Sequence, residues 1–403
     1  MMAMRVKIYS TLFLCSVVCC SGTILQAADQ QTTKKHSDNV RLTLPKVMYG
    51  VVGLEMNIYF DNVALMVNER NYLFDVTCKI GRQQVERWTY TPTEQDVGKV
   101  KFQLDVRNSE NKLIATQSCQ LVIVNGHQQK KSEDIQTSLL MIGDSLTSAS
   151  VYPQRMIDLS RSRKYPQLHC IGTTGPRRTA GKINRHEGYG GWTARRFVTL
   201  YNAIPEKKGE RKNSSPFLFP DAAGKPQLDF KKYCQENNQG VAPDFVTIFL
   251  GPNDTFRATD ETIEEVIDDV LLNFDHLIKM VQTVNPSTTI GIMLPVPPAK
   301  NQDAFGANYS SLYTRWQYRR NQHRLVERML KKYSNREQEH ISIVATHLNL
   351  DTFHNYPQVK VNANVHSSTK VVRLANGVHP ASSGYFQIGD TLYAWMCGQI
   401  ADK

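Results

Sequence analysis

Two residues far apart in the chain are of the types that covalent acyl transfer requires. Ser145 follows an apolar run in Met141-Ile142-Gly143-Asp144-Ser145-Leu146. His379 lies near the C-terminus in Asn376-Gly377-Val378-His379-Pro380. A hydroxyl becomes a nucleophile when a neighbouring base takes its proton, and the resulting oxyanion needs hydrogen-bond donors around it. Gly143 permits a tight turn, so a serine two residues on stands exposed at the end of a strand. Either residue alone is a weak signal: Gly-Asp-Ser occurs by chance, and a histidine before a helix is more often a cap or a surface group.

The elements that must bring these residues together are readable as a pattern. Residues 138–142 read as a short apolar strand ending in Gly143-Asp144-Ser145. Residues 245–250 read as a second, ending in Gly251-Pro252-Asn253-Asp254; 289–294, 341–345 and 168–171 read as three more. Ile263, Val266, Ile267, Val270, Leu271, Phe274, Leu277, Ile278 and Val281 fall at helical spacing, with Asp260 placed to cap the start. Glu261, Glu264 and Glu265 suit the positive end of that helix. A last helix from about Ser383 carries Tyr385, Ile388, Leu392 and Trp395 on one face. Strands alternating with helices predict a parallel, doubly wound sheet, whose sites lie at the carboxyl ends of its strands. Both polar motifs fall at such ends.

Residues 40–126 follow another grammar. Short runs alternate apolar and polar residues, as in Lys101-Phe102-Gln103-Leu104-Asp105-Val106, and are separated by turn signals such as Asp61-Asn62, Pro92 and Gly98. They predict a small β-sandwich. The polar stretch 127–134 reads as a linker. The expected organisation is a signal peptide at 1–28, an all-β sandwich domain at 29–126, a linker at 127–137 and a catalytic domain at 138–403.

Four short blocks, in order, resemble those of the SGNH (GDSL-type) hydrolases. Gly143-Asp144-Ser145-Leu146 resembles the first, which holds the nucleophilic serine. Gly190-Gly191-Trp192-Thr193 resembles the second, which lends a glycine N–H to the oxyanion hole; Gly191 fits that role, because Trp192-Thr193-Ala194-Arg195 follows the family pattern. Gly251-Pro252-Asn253-Asp254 resembles the third, whose asparagine amide is another oxyanion donor, here Asn253. Val378-His379-Pro380, with Gly384-Tyr385 behind it, resembles the last, which holds the base. The resemblance spans residues 138–403. It implies a flavodoxin-like three-layer α/β/α fold and an ester hydrolase. In that hydrolase Ser145 attacks, His379 is the general base, and the N–H groups of Ser145 and Gly191 with the Asn253 amide hold the oxyanion. It implies no cofactor and no metal.

One position departs from the pattern. The family's last block carries Asp three residues before His, where this chain has Asn376. An amide oxygen there can accept a hydrogen bond from the imidazole, but it adds no charge to stabilise the imidazolium. Either a Ser–His dyad held by Asn376 does the work, or another carboxylate substitutes; Asp351, after a predicted strand, is the candidate. Family substrates range over lipids, thioesters and acetylated glycans. Export and the attached sandwich favour an acetylated polysaccharide or oligosaccharide. A lipase or thioesterase of the same family and a non-catalytic glycan-binding protein are the alternatives. Trp192, Phe217, Phe219, Phe305, Tyr309 and Trp316 fall in segments flanking the strand ends, where they either stack on sugar rings or pack the loops.

The remaining composition sets bounds. The chain has 403 residues, 41% hydrophobic and 21% charged, with a formal net charge of +11, ordinary for a globular protein except for its basic balance. Basic residues gather at 177–212 and again at 315–332. Such clusters attract nucleic acid, anionic lipid or acidic polysaccharide, or are solvated faces. No zinc-finger spacing, RNP motif or heptad accompanies them, so no nucleic acid partner is expected. Arg5 and Lys7 precede an apolar run at 8–18 that is too short for a comfortable membrane span, and cleavable small-residue sites follow at Ala27 or Ala28. The reading is export, to the outside or the periplasm. Lipidation at Cys19 or Cys20 is the alternative, although neither follows a good lipobox. No later segment is apolar enough to span a bilayer. Of five cysteines beyond the leader, Cys78 and Cys119 lie in strand-like runs of one domain and are the expected disulfide pair, or else two buried thiols. The sequence sets no oligomeric state.

Overall fold

The computed structural model describes residues 40–127, 136–176, 183–204, 206 and 212–402. The leader, most of the polar linker, and Arg177, Arg178, Lys182, Lys207, Lys208 and Arg211 lie outside the described residues. The described residues form one compact unit.

Seven strands come first: β1 (Val47–Val51), β2 (Met56–Tyr59), β3 (Leu73–Cys78), β4 (Arg82–Gln83), β5 (Arg87–Tyr90), β6 (Gly98–Arg107) and β7 (Leu113–Val124). One sheet runs β1-β7-β6-β3, the other β2-β5-β4. A one-turn helix, α1 (Phe60–Val63), follows β2. The alternation in β6 works as a half-buried strand should: Val100, Phe102, Leu104 and Val106 are buried, while Lys99 and Lys101 face water. Ile58, Phe60 and Trp88 meet them to form a shared core.

The expected Cys78–Cys119 disulfide is not formed; both are free thiols. Both residues pair with Phe102, one from each side of β6. Their Cα atoms are thus about two strand spacings apart, roughly 9.5 Å, beyond the reach of an S–S bond.

The rest of the chain builds a parallel sheet. Its strands are β8 (Gln136–Gly143), β9 (Gln167–Ile171) and β10 (Glu187–Gly188) and, after the small hairpin β11 (Leu218–Pro220) and β12 (Pro226–Leu228), β13 (Phe245–Phe249), β14 (Thr289–Met293) and β15 (Ile341–Val344). β8 carries β9 and then β10 on one side and β13 on the other, followed by β14 and β15, all parallel. A second hairpin, β16 (Gln358–Asn364) and β17 (Ser367–Leu374), projects after β15.

Helices fill the crossovers: α2 (Ser145–Ser148), α3 (Val151–Arg163), α4 (Ala194–Thr199), α5 (Phe230–Asn237), α6 (Pro252–Thr255), α7 (Ile263–Val284), α8 (Gln302–Tyr309), α9 (Arg315–Tyr333) and α10 (Ser382–Ala401). Successive strand residues point to opposite faces, and the clusters divide accordingly. Leu140, Ile142, Val246, Ile248, Ile290 and Ile292 pack with α7 and α9. Leu139, Met141, Phe245, Phe249, Met293 and Val344 pack with α3 and α10. The nine apolar positions expected on α7 are buried or half-buried. Asp260 does not cap that helix, which starts later, with Thr262 as its N-cap. It pairs instead with Arg320 at 2.9 Å.

The N-terminal strands do not stand apart from this sheet. Tyr59 N–H donates to Leu348 O at 3.0 Å, Asn57 N–H to Asn349 Oδ1 at 2.9 Å, and Asn62 Nδ2 to Leu350 O at 2.8 Å. Buried His347 donates from Nε2 to Thr43 O at 3.0 Å. Ala345 and Leu348 belong to the N-terminal core, while Val51 and Leu54 belong to the α10 side of the parallel sheet.

Candidate active site

Ser145 opens α2 at the end of β8. Gly143 is required there, because a Cβ would come within 1.9 Å of Thr147 Oγ1. Asp144 caps α2, its Oδ1 accepting from Leu146 N–H at 2.9 Å. The hydroxyl that this turn presents lies 2.8 Å from His379 Nε2. His379 sits in the loop entering α10, and burial holds its imidazole below the ordinary value of 6.5. It is therefore neutral at pH 7, as a base must be.

Asn376 stands beside this pair in a different role from the one expected. Its Oδ1 accepts the backbone N–H groups of Val378 at 3.0 Å and His379 at 2.9 Å. The amide oxygen is thereby committed to main chain, and the expected bond to the imidazole is not made. Asn376 shapes the loop that carries the ring. Asp351 is also occupied elsewhere. Its Oδ1 accepts from Phe353 N–H and His354 N–H, and its Oδ2 lies 2.9 Å from His354 Nδ1 and 3.2 Å from the Tyr59 hydroxyl. Among the described residues it makes no contact with His379.

The three groups expected to donate to an oxyanion differ in their partners. Ser145 N–H and Gly191 N–H have no partner among the described residues. Gly191 holds φ +76°, a conformation that glycine adopts freely. Asn253, in α6, donates through Nδ2 to Asp144 Oδ2 and to Trp192 O, each at 3.1 Å. Its amide ties the serine turn to the glycine loop, so serving an oxyanion requires sharing one of those hydrogens. Asp254 makes a second tie, accepting from Ala194 N–H at 3.0 Å. Burial pushes both carboxyls up to about 7; the charge of Asp254 pushes Asp144 further up, and the N–H groups of Leu146 and Ala194 act in the opposite sense. Sequence reasoning passed over both aspartates. The available signal was a carboxylate directly beside the functional residue in Gly-Asp-Ser and again in Asn-Asp.

The described residues hold a second serine–histidine pair. Ser150 Oγ lies 2.8 Å from His186 Nε2, both buried. Gly188 N–H donates to His186 Nδ1 at 3.1 Å, so the ring proton is on Nε2 and points at the serine. That imidazole is a donor to Ser150 and cannot deprotonate it.

Of the flanking aromatics, Trp192, Phe217 and Phe305 are buried and pack the loops. Tyr309 is half-buried and, with Tyr313, stacks edgewise on Phe256 at 5.0 and 5.1 Å between ring centres. Phe219 and Trp316 are half-buried beneath Lys232 and Arg320. No cluster of metal-ligating side chains occurs among the described residues, and no helix there is long and apolar enough to cross a membrane.

No protein-family model and no curated protein matches the chain. Solved structures overlap it in part. An acetyl esterase S10A mutant with acetate ion aligns at TM-score 0.38 and 14% identity, over 66% of this chain and 99% of that one. A family 3 carbohydrate esterase of Clostridium thermocellum aligns at TM-score 0.37 and 15% identity, over 66% and 99%. A carbohydrate acetylesterase family member from Sinorhizobium meliloti aligns at TM-score 0.36 and 13% identity, over 66% and 99%. Scores of this size decide nothing about chemistry, which has to be read from the geometry.

Proposed function

We propose that this chain is an exported serine esterase of the SGNH (GDSL) type that removes acetyl or other short acyl groups from a polysaccharide. The single observation carrying this reading is the 2.8 Å approach of Ser145 Oγ to His379 Nε2 at the carboxyl end of a parallel strand. Ser145 Oγ attacks the ester carbonyl carbon while His379 Nε2 takes its proton. The oxyanion is held by the N–H groups of Ser145 and Gly191 and by the Asn253 amide. Collapse expels the sugar alcohol, to which His379 returns the proton. Water, deprotonated by the same ring, then releases the acyl group and restores Ser145. The cycle needs no metal or cofactor.

The glycan part of the proposal is supported by the half-buried faces of Phe256, Tyr309 and Tyr313: Phe256 follows Asn253 closely in sequence, and Tyr309 contacts Phe305, which packs on Gly377 beside the histidine loop. Within this reading residues 29–126 are a β-sandwich fused to the catalytic part at 138–403, and residues 1–28 direct export. Hydrolysis of p-nitrophenyl acetate tests the chemistry. The wild type should turn it over, and Ser145→Ala should lose at least about 10³-fold in kcat while remaining folded. Retention of more than about a tenth of the rate contradicts the assignment. An inert wild type would make the chain a non-catalytic glycan binder.

A further inference from the structure

Along α9 the arginines and Lys332 are paired: Arg315 and Arg319 with Asp61, Arg320 with Asp260, Arg324 with Glu264 and Glu327, Arg328 with Glu264 and Asp268, and Lys332 with Asp275. Three arginines beside the catalytic strand ends are not. Arg195 and Arg196 stand exposed in the first turn of α4, directly after the Gly191 block. Arg257 stands exposed just past α6, which holds Asn253. None of the three has an ion pair among the described residues. Arg196 reaches the oxyanion loop itself, its Nη1 donating to Gly191 O at 3.3 Å.

This arrangement is electrostatically costly in the free protein. Two arginines stand side by side in α4 with no carboxylate paired to either among the described residues. The nearby carboxylates are occupied elsewhere: buried Asp144 and half-buried Asp254 are bonded to N–H groups and an amide, buried Glu187 to Thr173, Tyr189 and Tyr233, Glu206 to Lys212, and Asp260 to Arg320. The hairpin β16–β17, which leads into the His379 loop, adds Lys360, Lys370 and Arg373 and contains no carboxylate; of these Arg373 is paired, with Asp303. Arg195, Arg196 and Arg257 thus stand beside the segments that hold Gly191 and Asn253 with no ion pair among the described residues.

We propose that the substrate is an acetylated polysaccharide that itself carries carboxylates, a uronic-acid polymer, whose charged groups flanking the scissile ester are held by Arg195, Arg196 and Arg257. The inference rests on the esterase reading and specifies its substrate class. A guanidinium presents a planar fork that matches a carboxylate. Each exposed pair is weak alone, but a polymer repeats the anion and engages several at once. Such binding is screened by salt.

The test uses the full-length protein with three substrates: p-nitrophenyl acetate, chemically acetylated polygalacturonate and chemically acetylated xylan, with acetate release followed at two salt concentrations. The acetylated polygalacturonate should have the lower KM. That KM should rise about tenfold between about 0.02 M and about 0.2 M salt as the Debye length contracts, while the KM for acetylated xylan stays level. Arg195→Gln combined with Arg257→Gln should remove most of the salt dependence and cost the acidic polymer at least fivefold more in kcat/KM than the small ester, a difference of about 1 kcal/mol. If p-nitrophenyl acetate is hydrolysed but the two polymers share one KM with no salt dependence, the inference is overturned and the esterase reading stands. If no substrate is hydrolysed, both fall.

Discussion

At the scale of single residues, the His379 ring has no carboxylate partner among the described residues. Burial depresses His379, and among the described residues no negative charge opposes it. The base is active when neutral, so activity is present above its pKa and lost as pH falls through it. The acid limb of kcat/KM, which reports the free enzyme, is therefore expected below about pH 6.5. Asn376→Asp places a charge beside the imidazolium and should move that limb to higher pH without loss of rate at pH 8. Asn376→Ala should lower kcat about 10- to 100-fold, because Val378 N–H and His379 N–H lose their acceptor. A wild-type limb at or above about pH 7 would mean that a carboxylate reaches the ring after all. Ser145, His379 and the departure at Asn376 were legible from motif and order. The direction of the Asn376 amide was not, because an asparagine three residues before histidine can serve ring or main chain equally well. Only the turn it closes decides between them.

At the scale of elements, the loop that holds His379 is braced by a one-turn helix from the other end of the chain. Asp61 of α1 sits against Arg319 at 3.2 Å, Lys300 at 3.1 Å and Arg315 at 3.6 Å. Arg315 Nε donates to Ala299 O at 2.8 Å, and Ala299 N–H donates to Gly377 O at 3.1 Å, two residues before His379. Burial lowers Arg315 to about 10, and Arg319 beside it acts in the same sense, with Asp61 opposing. Removing the anion shared by all three leaves buried Arg319 without its ion-pair partner, and half-buried Lys300 and Arg315 with Glu69 alone. Asp61→Asn should therefore cost about 3–5 kcal/mol in chemical denaturation and lower kcat in step. A loss under about 1 kcal/mol would mean that Glu69, which Lys300 also contacts at 2.5 Å, suffices. The parallel strands and α7 were legible because their apolar periods are long and regular. The Asp61 brace was not: in the sequence, Asp61-Asn62 reads as a turn signal. The Asp260 cap failed for a related reason, since an acidic residue near a helix start looks the same whether it caps that helix or pairs with a neighbouring one.

At the scale of the whole molecule, the sequence divides at the polar stretch 127–134, yet buried contacts cross that division. Removing residues 29–126 would strip Val51 and Leu54 from one core, uncover Ala345 and Leu348, and leave Leu348 O, Leu350 O and the buried His347 without partners. Orphaned buried polar groups cost about 1–3 kcal/mol each, and net stabilities are only about 5–15 kcal/mol. The truncated chain is accordingly expected to be insoluble or inactive on p-nitrophenyl acetate; a soluble, active fragment would show that these contacts are dispensable. The central claim, that this fold makes one of its many serines a nucleophile, is tested most directly by exposing the intact protein to a fluorophosphonate and locating the adduct by peptide mass spectrometry. The predicted result is a single adduct on Ser145, absent from Ser145→Ala and from His379→Ala. No adduct on the wild type, or one on Ser150 beside His186, would contradict it.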